Sequence, residues 1–135
     1  VMSVGTSLPQ LAVILGRVST EDGDRVLETI AALAPELTGA RCEIIVADRL
    51  HDEVSHKIRS DHPNVSLIEC PSGTTLPEMR TIAFEASTAP IVAVTEDHCV
   101  PTPGWGEQIV AAFERGGPDL VAVGGSVVNG VTDTG

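Results

Sequence analysis

Glu96-Asp97-His98 directly follows the apolar run Ile91-Val92-Ala93-Val94 and the single residue Thr95. Two carboxylates and an imidazole at the end of a strand are hard and borderline ligands for a divalent cation. In an extended segment residues i and i+2 point the same way, so Glu96 and His98 can share one ion. Carboxylate oxygen plus imidazole suits Mn²⁺, whereas Mg²⁺ would lean on the carboxylates alone. Two protein ligands would leave positions for the oxygens of a diphosphate. The same residues also fit a solvated acidic turn, with Asp97 capping it and His98 in water. Residue types alone leave both readings open.

Other ionisable residues also sit where apolar runs end. Arg17 follows Leu11–Leu15 and Gly16, and Asp48 closes Glu43-Ile44-Ile45-Val46-Ala47. Arg80 is one of eight basic residues and stands among uncharged neighbours, Met79, Thr81 and Ile82. Its guanidinium suits a carboxylate or phosphate partner, and an ordinary surface arginine fits equally well. His51 and His56 are five apart on a polar segment, which is not metal-ligand spacing on a helix, and they are expected at the surface. The cysteines Cys42, Cys70 and Cys99 form no C-x-x-C pair and are expected as reduced thiols of a cytoplasmic protein. Cys99 differs from the other two in adjoining the acidic cluster.

The elements that position these residues alternate in type. Apolar runs predict strands at Leu11–Leu15, Glu43–Ala47, Val65–Glu69, Ile91–Val94 and Leu120–Val123, with a short sixth at Val127-Val128. The run Ile91–Val94 reads as buried on both faces. Val26, Ile30 and Leu33 mark one face of a first helix, capped by Ser19 or Thr20 with Glu21, Asp22 and Asp24 favouring its N-terminus, and ended by Pro35 and Gly39. A mostly polar second helix over roughly 52–60 is expected to be peripheral. A third is capped by Thr74 or Thr75 and buries Leu76, Met79, Ala83 and Ala86, and a fourth runs from Trp105 to about Arg115. Strand–helix alternation predicts a three-layer α/β/α sandwich with a mostly parallel sheet. Its carboxyl edge would collect Arg17, Asp48 and the Glu96–His98 cluster, with Arg80 nearby.

Size and composition narrow the function classes. A chain of 135 residues fits one domain, with an ordered core expected over about 10–128. No apolar stretch approaches the roughly 20 residues of a membrane span. The start, Val1-Met2-Ser3-Val4-Gly5, lacks the charged and apolar regions of a signal peptide. A net charge of −11 repels phosphate backbones, and 2% aromatics supply few stacking surfaces, so a nucleic-acid partner is not expected. An anionic small ligand would need a cation or helix N-termini in such a field. The glycine loops of P-loop and Rossmann nucleotide sites are absent after the first strand, and there is no G-x-S-x-G elbow.

The order of these motifs resembles the family 2 glycosyltransferases of the GT-A fold. The resemblance runs from about Leu11 to Val128. The family's VVDDGS-type motif corresponds to Val46-Ala47-Asp48-Arg49-Leu50-His51, which keeps only the first aspartate. Its helical arginine corresponds to Arg80 in Met79-Arg80-Thr81, after the loop Ser72-Gly73-Thr74. Its DxD strand end and Pro-Gly-Trp turn correspond to Glu96-Asp97-His98 and Pro103-Gly104-Trp105, with E-D-H replacing D-x-D. The resemblance implies a nucleoside diphosphate sugar as ligand, with Asp48 at the base, Arg80 beside the nucleotide and Asp97 near the ribose or sugar. It implies that Glu96 and His98 hold Mn²⁺ or Mg²⁺ on the diphosphate.

Members of this family are usually longer, and their second half carries the acceptor site and catalytic base. Residues 1–135 therefore read as a single truncated, nucleotide-sugar-binding GT-A domain acting on an unspecified acceptor. The alternative is a degenerate, non-catalytic module that binds nucleotide or serves in assembly. A side left exposed by an absent half would favour self-association. A nucleotidyltransferase fits less well, because it needs a lysine-bearing glycine loop after the first strand and the one lysine is Lys57.

Overall fold

The computed structural model describes residues 8–20, 25–39 and 41–125. Four strands, β1 (Leu11–Arg17), β2 (Cys42–Asp48), β3 (Val65–Glu69) and β4 (Ile91–Glu96), form one parallel sheet in the order β3-β2-β1-β4. The helices are α1 (Val26–Leu33), the short α2 (Glu36–Gly39), α3 (Glu53–Asp61), α4 (Leu76–Ala86) and α5 (Trp105–Gly116). The chain runs outward from β1 through β2 to β3, then returns across the sheet to place β4 on the other side of β1. This reversal opens a crevice at the carboxyl ends of β1 and β4, the usual ligand position in open α/β sheets.

Strand alternation divides the core into two layers. Leu11, Val13 and Leu15 of β1 and Ile44 and Val46 of β2 pack with Val26, Ile30 and Leu33 of α1, with Ile58 of α3, and with Trp105, Ile109 and Val110 of α5. Ile14, Ile45 and Ala47 point the other way and pack on Met79 and Ala83 of α4. The helices thus cover both faces, as the alternating pattern predicts. Thr75 caps α4 by accepting from the Glu78 backbone N–H while Glu78 reaches back to Thr75 N, a reciprocal capping box. Pro77 stands in its first turn, where a missing N–H costs nothing. Among the described residues no helix is long and apolar enough to cross a membrane.

Several local expectations are corrected. β4 is not buried on both faces. Among the described residues no strand pairs with its outer edge, and Val94 is 53% exposed. Leu120–Val123 is not a strand: Gly117 turns the chain with φ +74°, the Leu120 N–H bonds back to the Gly117 carbonyl, and Val121 is 89% exposed. An apolar run becomes a strand only where a ladder partner is in reach. Val127-Val128 lies outside the described residues, as do Glu21, Asp22 and Asp24. α1 starts at Val26 after Arg25, whose side chain makes no cap hydrogen bond, and Ser19 lies in the loop lining the crevice. Past Pro35 the chain makes one further turn, α2, which ends at Gly39. Ala86 is exposed at the end of α4.

The helix over 53–61 is not peripheral. Asp52 accepts from Ser55 N and Ser55 Oγ accepts from Asp52 N, which closes another capping box. Ile58 is fully buried against the α1-side core. Ile58→Ala should therefore cost about 2–5 kcal/mol in urea unfolding. A loss within about 0.5 kcal/mol would return α3 to the surface.

Candidate functional site

The end of β1 is built around buried charge. Arg17 is in phase with Leu11, Val13 and Leu15 of the same strand, and it pairs in register with Asp48 of β2. Both side chains are fully enclosed, and their nitrogen and oxygen lie 3.3 Å apart. The same guanidinium makes a two-pronged contact with Asp52, Nη1 to Oδ1 and Nη2 to Oδ2, each 2.8 Å. Asp48 also accepts from the Leu50 and His51 backbone N–H groups at 3.2 and 3.3 Å, and from the Ser55 hydroxyl. One arginine thus joins the ends of β1 and β2 to the cap of α3.

Arg49 braces the next layer. Its Nε donates to the Val18 carbonyl at 3.1 Å and its Nη1 to the Thr74 carbonyl at 2.8 Å. These bonds tie the loop after β1 to the loop that leads into α4. His51, with φ +53°, places its ring Nε2 2.6 Å from the Cys70 carbonyl while remaining exposed. Burial raises the Cys70 thiol above its ordinary range and pushes Cys42 up to about 12. Both therefore remain protonated, small core residues.

Between the ends of β1 and β4 lies a crevice of about 220 Å³. Gly16, Val18 and Ser19 form one wall, Thr95–His98 the other, and Leu76 and Arg80 of α4 close it from the side. A Cβ on Gly16 would stand 2.5 Å from Leu76 Cδ1, so the absence of a side chain lets α4 approach the strand end. The Arg80 Nε is buried and makes no hydrogen bond among the described residues. A buried guanidinium nitrogen without an acceptor favours an anionic ligand.

The acidic turn has its own scaffold. The Cys99 N–H donates to the Glu96 carbonyl at 3.1 Å, folding the chain back after β4. Thr29 of α1 donates its hydroxyl to the Asp97 carbonyl at 3.0 Å and pins this turn to the core. His98 stands between two carboxylates, with Nε2 2.8 Å from Glu96 Oε2 and Nδ1 3.4 Å from Asp97 Oδ1. Gly104, at φ +80°, then turns the chain into α5, a conformation that favours glycine.

Four of the five residues expected at a ligand site, Arg80, Glu96, Asp97 and His98, line this one crevice. Asp48 does not. Its parity along β2 matches Ile44 and Val46, which turns its carboxylate toward the α1 side and into the Arg17 network. Sequence reasoning misses Asp52 and Ser55. Their D-x-x-S spacing is the sequence sign of the helix cap that also recruits Arg17.

Two outcomes follow from the network. Removing one member of a buried pair leaves the other charge uncompensated, so Asp48→Ala should cost about 3–5 kcal/mol in urea unfolding. Hydrogen bonds from Arg17 hold the Asp52 carboxyl well below the usual carboxylate range against the opposing effect of burial. A depressed folded value contributes stability that is present above about pH 4, the ordinary aspartate value, and lost as pH falls through the folded value. Stability should therefore fall less steeply from about pH 5 to about pH 2 in Asp52→Asn than in the unaltered protein. Equal slopes would show that Arg17 does not stabilise the carboxylate.

The comparisons with known proteins agree with this architecture. The sequence profile described as "Glycosyl transferase family 2" matches residues 19–135. No curated protein matches the chain. Among solved structures, the fold is similar to the mannosyltransferase PcManGT from Pyrobaculum calidifontis in complex with GDP-Man and Mn²⁺. The TM-score is 0.54 at 17% identity, over 73% of this chain and 30% of that one. At that identity the likeness concerns the fold, and the chain spans about 30% of the length of the mannosyltransferase. The profile match covers most of the sequence, and the chain belongs to glycosyl transferase family 2.

Proposed function

We propose that this chain binds the nucleoside diphosphate sugar of a glycosyl transfer reaction in the crevice between β1 and β4. The observation that carries the reading is the convergence there of Arg80 with Glu96, Asp97 and His98. Arg80 would donate from its unsatisfied Nε to the diphosphate. Asp97 would face the ribose or sugar. Glu96 and His98 would hold a divalent cation, and their oxygen and nitrogen donors fit such an ion. When bound, the cation supplies positive charge that offsets the diphosphate in a protein of net charge −11 and favours departure of the nucleoside diphosphate.

The base side of the donor falls to the loop Arg49–His51, which Asp48 holds through two backbone N–H groups. A direct contact from Asp48, as the family resemblance implies, requires its carboxylate to exchange one of these partners. The free cysteines fit a reducing, cytoplasmic setting.

GDP is the first nucleotide to test, since the similar mannosyltransferase is in complex with GDP-Man and Mn²⁺. GDP or UDP at a hundredfold excess over Kd should stabilise the chain by about 2.7 kcal/mol, raising Tm by several degrees, only when Mn²⁺ or Mg²⁺ is present. Arg80→Ala should weaken nucleotide binding about 10- to 100-fold, the loss of a charged hydrogen bond. Absence of a shift with every nucleoside diphosphate and both metals would refute the proposal.

A further inference from the structure

The proposed donor site leaves one adjacent side chain without a role. The turn closed by Cys99 N–H and the Glu96 carbonyl brings the Cys99 thiol back toward the strand end. One ligand atom each from Glu96, His98 and Cys99 lies within 4.8 Å of the other two. We propose that Cys99 completes a three-ligand site with Glu96 and His98, and that this site prefers a thiophilic dication such as Zn²⁺ over Mg²⁺.

The donor chemistry supports this preference. Oxygen, nitrogen and sulfur are the ligand types of zinc, with bonds of about 2.0–2.3 Å. Tetrahedral ligands at those lengths stand roughly 3.3–3.8 Å apart. The three ligand atoms already lie within 4.8 Å of one another, and Glu96 and His98 are exposed side chains. Mg²⁺ instead demands near-octahedral oxygen coordination and gains nothing from a thiolate. Mn²⁺ lies at the weak end of the affinity order for mixed-donor sites.

The surroundings of His98 point the same way. Asp97 Oδ1 stands 3.4 Å from Nδ1, while Nε2 faces Glu96. A carboxylate on one ring nitrogen fixes the tautomer that presents the other to a metal. Thr29 holds the Asp97 backbone in place from α1. Three protein ligands leave the fourth position open, the pattern of a metal that also takes a substrate oxygen. Binding would displace the thiol proton to solvent, with the thiolate sulfur as ligand.

The inference rests on the donor-site reading for the placement of Glu96 and His98, but its test is separate. Co²⁺ added to the whole chain should give a near-ultraviolet thiolate-to-metal absorption band, and Cys99→Ser should abolish it. Competition against a chromophoric chelator should show Zn²⁺ bound at least about tenfold more weakly by Cys99→Ser and by Glu96→Gln. Cys42 and Cys70 are buried and serve as internal controls in both variants. Unchanged Zn²⁺ affinity in Cys99→Ser, or no thiolate band, would overturn the inference. If Mn²⁺-dependent stabilisation by a nucleoside diphosphate persists in that case, the donor site stands without Cys99. A thiolate band without any nucleotide effect would keep the three-ligand site and remove the donor reading.

Discussion

A buried arginine cannot be left without compensation, and the end of this sheet is organised around that constraint. Arg17 sits at the last position of the central strand, enclosed on all sides. Its partners among the described residues include Asp48 from β2 and Asp52 from the cap of α3. The desolvation penalty for such charges is several kcal/mol per ion, recovered only with close pairing and additional hydrogen bonds. A slip of β1 against β2 by one residue would turn Arg17 to the opposite face and separate it from Asp48. The network therefore fixes register as well as holding charge. It also fixes the backbone of Leu50 and His51, whose N–H groups Asp48 accepts.

This buried layer stands beside the crevice rather than in it. Arg17 and Asp48 face the α1 side, whereas Gly16 and Leu76 lie at the β1–α4 contact that borders the crevice. The carboxyl edge thus carries two kinds of charge with different fates. One set is consumed in holding the strand ends together. The other, Arg80 with Glu96, Asp97 and His98, lines the crevice where the chain reverses direction across the sheet. Arg49 links the two regions by bridging the carbonyls of Val18 and Thr74.

Much of this is legible in the sequence. The four paired strands follow apolar runs, and α4 carries the Thr75–Glu78 cap with Pro77 in its first turn. Strand-end reasoning puts Glu96, Asp97 and His98 at the carboxyl edge that parallel strands share, and there they line the crevice. What the sequence does not show has particular causes. Asp48 closes its strand in phase with Ile44 and Val46, so its inward direction is readable from parity, whereas its partners Arg17 and Ser55 come from other elements and are not. α3 reads as peripheral because its one fully buried apolar side chain, Ile58, gives little periodicity. Leu120–Val123 is as apolar as a strand, yet pairing depends on an edge and a path that composition does not encode.

A nucleoside diphosphate and a divalent cation are proposed to meet in the crevice between β1 and β4. Paramagnetic broadening of backbone amide resonances by Mn²⁺ in the presence of GDP locates the ion directly. Binding in the crevice should broaden Gly16, Val18, Ser19, Arg80 and Thr95–Cys99 selectively, with little effect at the far end of the sheet near Leu11 and Ile91. Broadening centred elsewhere, such as the groove lined by Phe84, Pro90 and Val121, or no site-selective broadening at all, would contradict it.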